Sequence, residues 1–181
     1  MLKNNHLRGT SCYLVGQMQY ADGTAWRNTA KGRLEPRGIT CFDPYHKPFI
    51  EAVDESPETR DSLLARLDEG DYDGVAERMK KVRGFDLNLV DRCDFVIAYL
   101  NIKIPTCGSY EEIFWANRIK KPIFLTIEGG KRNTPLWLLG TIPHKYIYDS
   151  VEDSLSMIES IDSGIVEIDS DRWRLLKEEY R

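Results

Sequence analysis

A chain of 181 residues that is 41% hydrophobic and 30% charged has the make-up of an ordinary globular protein with one sizeable core, and is short for two domains. Its formal net charge of -4 argues against a nonspecific binder of nucleic-acid polymers, which carries a basic surface. No apolar run reaches membrane-spanning length, and the opening MLKNNHLRGT lacks the apolar core of a signal peptide, so a cytoplasmic protein with no membrane partner is expected.

In chain order, Ser11 to Val15 (SCYLV) reads as a buried strand ending at Gly16. Thr24 to Arg37 follows as a helix, with Trp26, Ala30 and Leu34 at i, i+4 and i+8, closed by Pro36 and Gly38. Ile39 to Phe42 is a second strand, stopped by Asp43-Pro44. From about 51 to 74 acids dominate, which reads as a solvated acidic insertion with one short helix around Ser62 to Leu67. Val75 to Val90 is helical, with a break near Gly84. DFVIAYL, Asp94 to Leu100, is the clearest buried strand. Glu111 to Lys120 is a helix, Ile123 to Ile127 a strand ended by Gly129-Gly130, Pro135 to Leu139 a short helix and Lys145 to Tyr148 a fifth strand. Val151 to Ile161 is an amphipathic helix, and Asp171 to Tyr180 is a helical tail with Ser170 as N-cap. The tail's Trp173, Leu175 and Leu176 offer a docking stripe.

Strands alternating with helices predict an α/β fold: a flavodoxin-like open parallel five-stranded sheet with helices on both faces, in a single domain spanning 1–181. Ligands of such sheets bind beyond the carboxyl ends of the strands, at the switch point. That rule selects the loops after Val15, Phe42 and Leu100.

The chain has four cysteines and three histidines. Cys12, Cys41 and Cys93 lie in or beside apolar stretches, as small buried residues do. Cys107 adjoins a glycine turn, without a histidine nearby in sequence to activate it. His6, His46 and His144 show no metal-ligand spacing. No metal and no cofactor are expected.

The loop after Leu100 leads into TCGSYEEIFWA, Thr106 to Ala116. Ser109-x-x-Glu112 matches a capping box, in which Glu112 reaches back to the helix start. The same helix start is an anion site. The alternative is that Glu112 is chemically active. A second acidic segment, FDLNLVDRCD, brings Asp86, Asp91 and Asp94 in front of the best strand. Asp86 cannot share a helical face with both of the others; it is a helix cap or a functional acid, and Asp94 is structural.

DLNLVDRCDFVIAYL followed by GSYEEIFWANRIKKPI resembles the nucleoside 2-deoxyribosyltransferases. Asp86, Asp94, Gly108, Ser109, Glu112, Ile113, Lys121 and Pro122 fit that family's order and spacing. YLVGQM followed by DGTAWR looks like a branch met in bacteriophage genomes, which would place the chain in a host cytoplasm. The resemblance covers most of residues 11 to 150.

The resemblance implies cleavage of the N-glycosidic bond of a deoxynucleoside or deoxynucleotide. Glu112 matches the nucleophile, Asp86 the acid/base residue, and Tyr13 the tyrosine that orients the nucleophile. A carboxylate suits an oxocarbenium-like transition state, and double displacement retains the anomeric configuration. The leaving base needs a proton, which Asp86 must hold at neutral pH; a neighbouring ionised Glu112 favours that. Glu111 is the solvated first-turn acid. The partners implied are the nucleoside, a free nucleobase and further copies of the chain.

Substrate contacts are expected from Gly16 and Gln17 after the first strand and from Thr106, Gly108 and Ser109 at the helix start. Trp26 either stacks a base or packs, and Arg27 either meets a phosphate or lies on the surface. Asp43 and His46 are candidates for reading the base edge. Thr106 stands where many transferases have Asp. Family members borrow an Asn from a neighbouring subunit near the segment matching Asn133 to Gly140, a space Trp137 also competes for. Trp115 and Phe114 are read as packing residues. Two further readings stay open: a monophosphate N-glycoside hydrolase, and a noncatalytic nucleotide-binding module.

Overall fold

A computed structural model describes residues 5–18, 22–46, 53, 55–166 and 172. Its centre is one sheet of five parallel strands: β1 (Ser11–Gly16), β2 (Thr40–Phe42), β3 (Phe95–Leu100), β4 (Ile123–Ile127) and β5 (Ile147–Tyr148). The strand order is β2-β1-β3-β4-β5. The chain therefore leaves β1 toward one edge and later returns to build toward the other. The switch point lies between β1 and β3, where Cys12 to Gly16 register with Phe95 to Tyr99.

Alternation along β1 and β3 sorts side chains onto two faces. Cys12, Leu14, Phe95 and Ile97 face one core, completed by Trp26, Ala30 and Leu34 of α1 (Asp22–Leu34) and Leu155, Ile158 and Ile161 of α6 (Val151–Asp162). Tyr13, Val15, Val96 and Ala98 face the other. There they meet Val90 of α3 (Tyr72–Arg92) and Ile113 and Ala116 of α4 (Cys107–Arg118). Helices on both faces explain why β3 and β4 are apolar on both sides. Asp94, as expected, is structural: it accepts from the Ser11 N–H at 2.7 Å and the Ser11 hydroxyl at 3.1 Å. Asp162, fully buried, accepts from the Leu7 N–H at 2.9 Å and Arg37 at 3.1 Å, tying the N-terminal turn to α6.

The acidic stretch differs from the sequence reading in the length of its helix; none of its described residues from 55 to 74 is buried. Its helix, α2 (Pro57–Asp68), is twice as long as the sequence reading gave it. Ser56 caps it through the Thr59 N–H at 3.3 Å, and a proline sits in its first turn. Asp71 caps α3 through the Gly74 N–H at 2.9 Å and pairs with Arg66 of α2 at 2.6 Å, closing a helical hairpin. Nor does α3 break at Gly84; it runs unbroken for 21 residues. Val82, Asp86 and Val90 are buried at i, i+4 and i+8, one inward stripe that continues across the glycine, and Val90 packs in the core beneath the sheet. Asp86 is consequently a mid-helix residue, not a cap.

The remaining elements match the sequence reading to within a few residues. The first helix ends at Leu34 and tightens into a 3₁₀ turn over Glu35–Arg37. β5 is shortened by a 3₁₀ turn at His144–Tyr146. The short helix, α5, covers Leu136–Leu139. The expected tail helix and its Trp173, Leu175 and Leu176 lie outside the described residues. Arg172 donates to Asn117 at 2.6 Å and to the Lys121 carbonyl at 3.2 Å.

Gly84 is exposed, and a Cβ there would meet nothing within 4 Å. Glycine inside a helix costs about 0.5–1 kcal/mol relative to alanine. Gly84→Ala is expected to raise the unfolding free energy by about that amount, read by circular dichroism as a higher urea midpoint with an unchanged m-value.

Candidate active site

The face of the sheet that carries α3 and α4 also carries the three residues that the resemblance singles out. Tyr13 lies on β1, Asp86 on the inward stripe of α3, and Glu112 in the second turn of α4; all three line one cavity of about 300 Å³ at the carboxyl end of the switch point. The Tyr13 hydroxyl donates to Glu112 Oε1 at 2.7 Å. Tyr13 is 1% exposed, and Asp86 and Glu112 are each 9% exposed. Burial drives the Tyr13 phenol well above its ordinary range, and the carboxylates of Glu112 and Asp86 push it further. Tyr13 is therefore a permanent donor that fixes the Glu112 carboxylate.

The capping-box reading does not hold. α4 begins at Cys107, with Thr106 at the cap position and no side-chain cap bond. Ser109 is thus already inside the helix and buried, and Glu112 reaches across to β1. Glu111 is not the solvated first-turn acid either. It pairs with Arg83 of α3, which lowers its pKa through that hydrogen bond and charge. Thr106, Cys107, Gly108 and Ser109 form one wall of the cavity, the opening turn of α4. Gly16 and Gln17 form another. Gln17 is 4% exposed, and its side-chain oxygen is buried with no hydrogen-bond partner among the described residues.

The other expected contacts lie elsewhere. Trp26 belongs to α1 on the opposite face of the sheet, buried against Tyr99 at a ring distance of 5.8 Å. It packs rather than stacks a base in this cavity. Arg27 is completely buried rather than poised for a phosphate. Its guanidinium donates to the carbonyls of Gly16 at 2.8 Å, Gln17 at 3.2 Å, Leu14 at 3.4 Å and Gly23. Burial pulls its pKa down, and Asp43 opposes that.

Asp43 and His46 do not line the cavity, although Pro44 between them does. Asp43 accepts from Lys31 at 2.6 Å, from the Tyr45 N–H at 3.1 Å and from His46 at 3.1 Å. Asn133 donates to the Gly129 carbonyl at 2.8 Å, and Trp137 is 78% exposed; neither is in the cavity. Trp115 donates to Asp91 at 2.7 Å, and Phe114 stacks on Tyr110. Among the described residues no group of three or more His, Cys, Asp or Glu side chains could hold a metal ion.

Sequence reasoning missed Met18, Glu55, Met79, Ile104 and Pro105, all of which line the cavity. Met79 had a signal: it stands three and seven residues before Val82 and Asp86, on one face of an unbroken helix. Glu55 had none, since the turn before α2 brings it in.

The constellation can deliver a fixed carboxylate, a second acid across a small cleft and the N–H groups of a helix start. No family model matches the chain, and no curated protein matches it. Among solved structures it is similar to a 2-deoxyribosyltransferase from the psychrotolerant bacterium Bacillus psychrosaccharolyticus, at 15% identity and a TM-score of 0.56, covering 80% of this chain and 89% of that one. A CMP N-glycosidase from Clostridium botulinum gives 15% identity and a TM-score of 0.48, over 82% of this chain and 98% of that one. The first likeness establishes the fold, a parallel five-stranded α/β sheet of the deoxyribosyltransferase kind.

Asp43 supplies a pH test of the loop that frames the cavity. Burial raises its pKa, but Lys31, the Tyr45 N–H and His46 outweigh burial and hold it below the ordinary value. A depressed carboxylate stabilises the fold above its unfolded pKa of about 4, and that contribution disappears as pH falls through the folded value. Asp43→Asn is expected to be less stable than the parent at pH 7, with the gap in urea midpoints narrowing as pH falls below about 4.

Proposed function

We propose that this chain is an N-glycoside-cleaving enzyme of the deoxyribosyltransferase kind, acting on an unphosphorylated deoxynucleoside. The observation that carries this is the 2.7 Å bond from Tyr13 to Glu112, opposite Asp86 in one closed-in cavity. In this reading Glu112 attacks C1′ as the bond to the base breaks, and the Asp86 carboxyl gives its proton to the departing base nitrogen. The product is a deoxyribosyl ester of Glu112. A second base then attacks C1′ from the vacated side, releases Glu112 and returns a proton to Asp86. Two inversions give net retention. Tyr13 holds the attacking oxygen of Glu112 in line and withdraws as the ester forms.

The charge of the cavity supports a nucleoside over a nucleotide. Asp86, Glu112 and Glu55 line it, with no Lys, Arg or His among its described lining residues. A 5′-phosphate there would face carboxylates at short range. One observation favours the second reading, a monophosphate hydrolase. The first turn of α4 forms a wall, and its N–H groups suit an anion. We further propose that the chain works as a homo-oligomer; Leu136 and Trp137, 86% and 78% exposed, support this.

Product chromatography separates these readings. With a deoxynucleoside and a free acceptor base, a new deoxynucleoside is expected. Glu112→Ala is expected to abolish its formation, and Asp86→Asn to slow it about 10²–10⁴-fold. Tyr13→Phe, which removes a hydrogen bond to a charged group, is expected to cost about 10–100-fold in kcat. Base released from a monophosphate without acceptor would select the hydrolase. Unchanged substrates throughout would leave a noncatalytic binding module.

A further inference from the structure

Bond cleavage uses Tyr13, Asp86 and Glu112, and leaves other lining residues without a task, among them Glu55, Met18, Met79 and Pro44. Glu55 stands directly before Ser56, the cap of α2, and Met79 lies on the outer half of α3. Both also border the adjoining groove of about 220 Å³ between α2 and α3. Two thioethers and a proline ring form apolar, adaptable walls of the kind that grip a flat ring. Glu55 is the polar group set among them.

We infer that Glu55 is a specificity-determining residue: its carboxylate reads the edge of the substrate base remote from the glycosidic nitrogen and selects bases presenting adjacent N–H donors, guanine above all. This rests on the glycoside-cleaving reading of the same cavity.

The chemistry is that of an acceptor-only group. An ionised carboxylate offers two oxygens and about four lone-pair sites, so it can take a substrate donor besides any protein donor. Guanine offers two parallel donors, N1–H and N2–H, in the spacing a carboxylate accepts as a pair. Adenine and cytosine each offer one amino group beside a ring acceptor. Thymine and uracil offer a single N–H flanked by carbonyl oxygens that repel the carboxylate. The charge of Glu55 is felt at the site: burial is the largest cause of the raised Tyr13 pKa, and Glu55 adds to it beside Glu112 and Asp86. It is felt also at Tyr45, by the Pro44–His46 turn, where burial again leads. Glu55 lines the same cavity as Tyr13, Pro44 and Glu112.

The test is equilibrium binding by calorimetry. Deoxyguanosine and thymidine are titrated into the Glu112→Gln chain, which keeps an acceptor for Tyr13 and cannot turn over. The same is done with Glu55→Gln and Glu55→Ala added, each checked for an unchanged urea midpoint. Hydrogen bonds to a charged group predict deoxyguanosine about 10–100-fold tighter than thymidine. That preference should fall to within about threefold in both Glu55 variants, with thymidine gaining in Glu55→Gln. Equal affinities with Glu55 intact, or a preference that survives both substitutions, overturns the inference. So does an equal weakening of both ligands, which would put Glu55 on the sugar. Binding of neither nucleoside overturns it together with the function it rests on. Turnover assays run alongside separate the two: turnover without base preference sinks Glu55 alone, and Glu55-dependent preference without turnover sinks the glycoside-cleaving reading alone.

Discussion

A guanidinium with no exposed surface sits at the carboxyl end of the first strand, and the framing of the cavity depends on it. Taking such a charge out of water costs several kcal/mol unless its donors are engaged. Arg27 meets that demand with backbone carbonyls of the strand end, the following loop and the start of α1, stacks at 4.6 Å over Trp26, and has Asp43 at 3.8 Å. One side chain therefore fixes where the chain turns out of β1. It also joins that turn to the loop after β2 through Asp43. Gly16 and Gln17 hold their places in the cavity wall because their carbonyls are claimed from behind.

The closeness of this arrangement shows at Gly16. A Cβ there would stand 2.7 Å from the Tyr99 carbonyl and 3.2 Å from the Trp26 ring. Residue 16 faces the α1 side of the sheet, and Tyr13, three positions earlier, faces the α4 side. The strand's two-residue period thus divides labour within six residues. One face carries the support and the other carries the donor that holds Glu112.

Much of this was legible in the sequence. The apolar runs at 11–15, 94–100 and 123–127 and the turn residues between them dictate strands, and their alternation with helices dictates a parallel sheet. Tyr13, Asp86 and Glu112 were legible as a set only through the resemblance to the deoxyribosyltransferases, and the structure brings them to one cavity. Trp26 and Arg27 were ambiguous because sequence does not reveal which face of the sheet a crossover helix covers; that is decided by handedness and by where the core has room. Asp43 and His46 read as functional because polar residues after a strand are where ligands bind, whereas His46 pairs with Asp43, and Asp43's other partners, Lys31 and Arg27, come from a helix that only the fold brings near. In the 51–74 stretch the helix was legible but not its length: the charges mark the solvent side of two helices, and the few apolar residues between them, such as Leu63, Leu67 and Val75, are enough to close a hairpin. Gly84 marked no break because burial on either side outweighs one glycine's entropy.

The hairpin gives α3 two halves with different obligations. Its inner half, from Val82 onward, packs beside α4, reaches the core at Val90 and carries Asp86 to the cavity that Glu112 also lines. Its outer half projects with α2 and supplies Met79, next to Glu55, to the cavity. In the vocabulary of protein engineering this is a separable cassette. Residues 55–79 can be exchanged or diversified to reshape what the cleft accepts, while the elements that carry Tyr13, Asp86 and Glu112 stay in place.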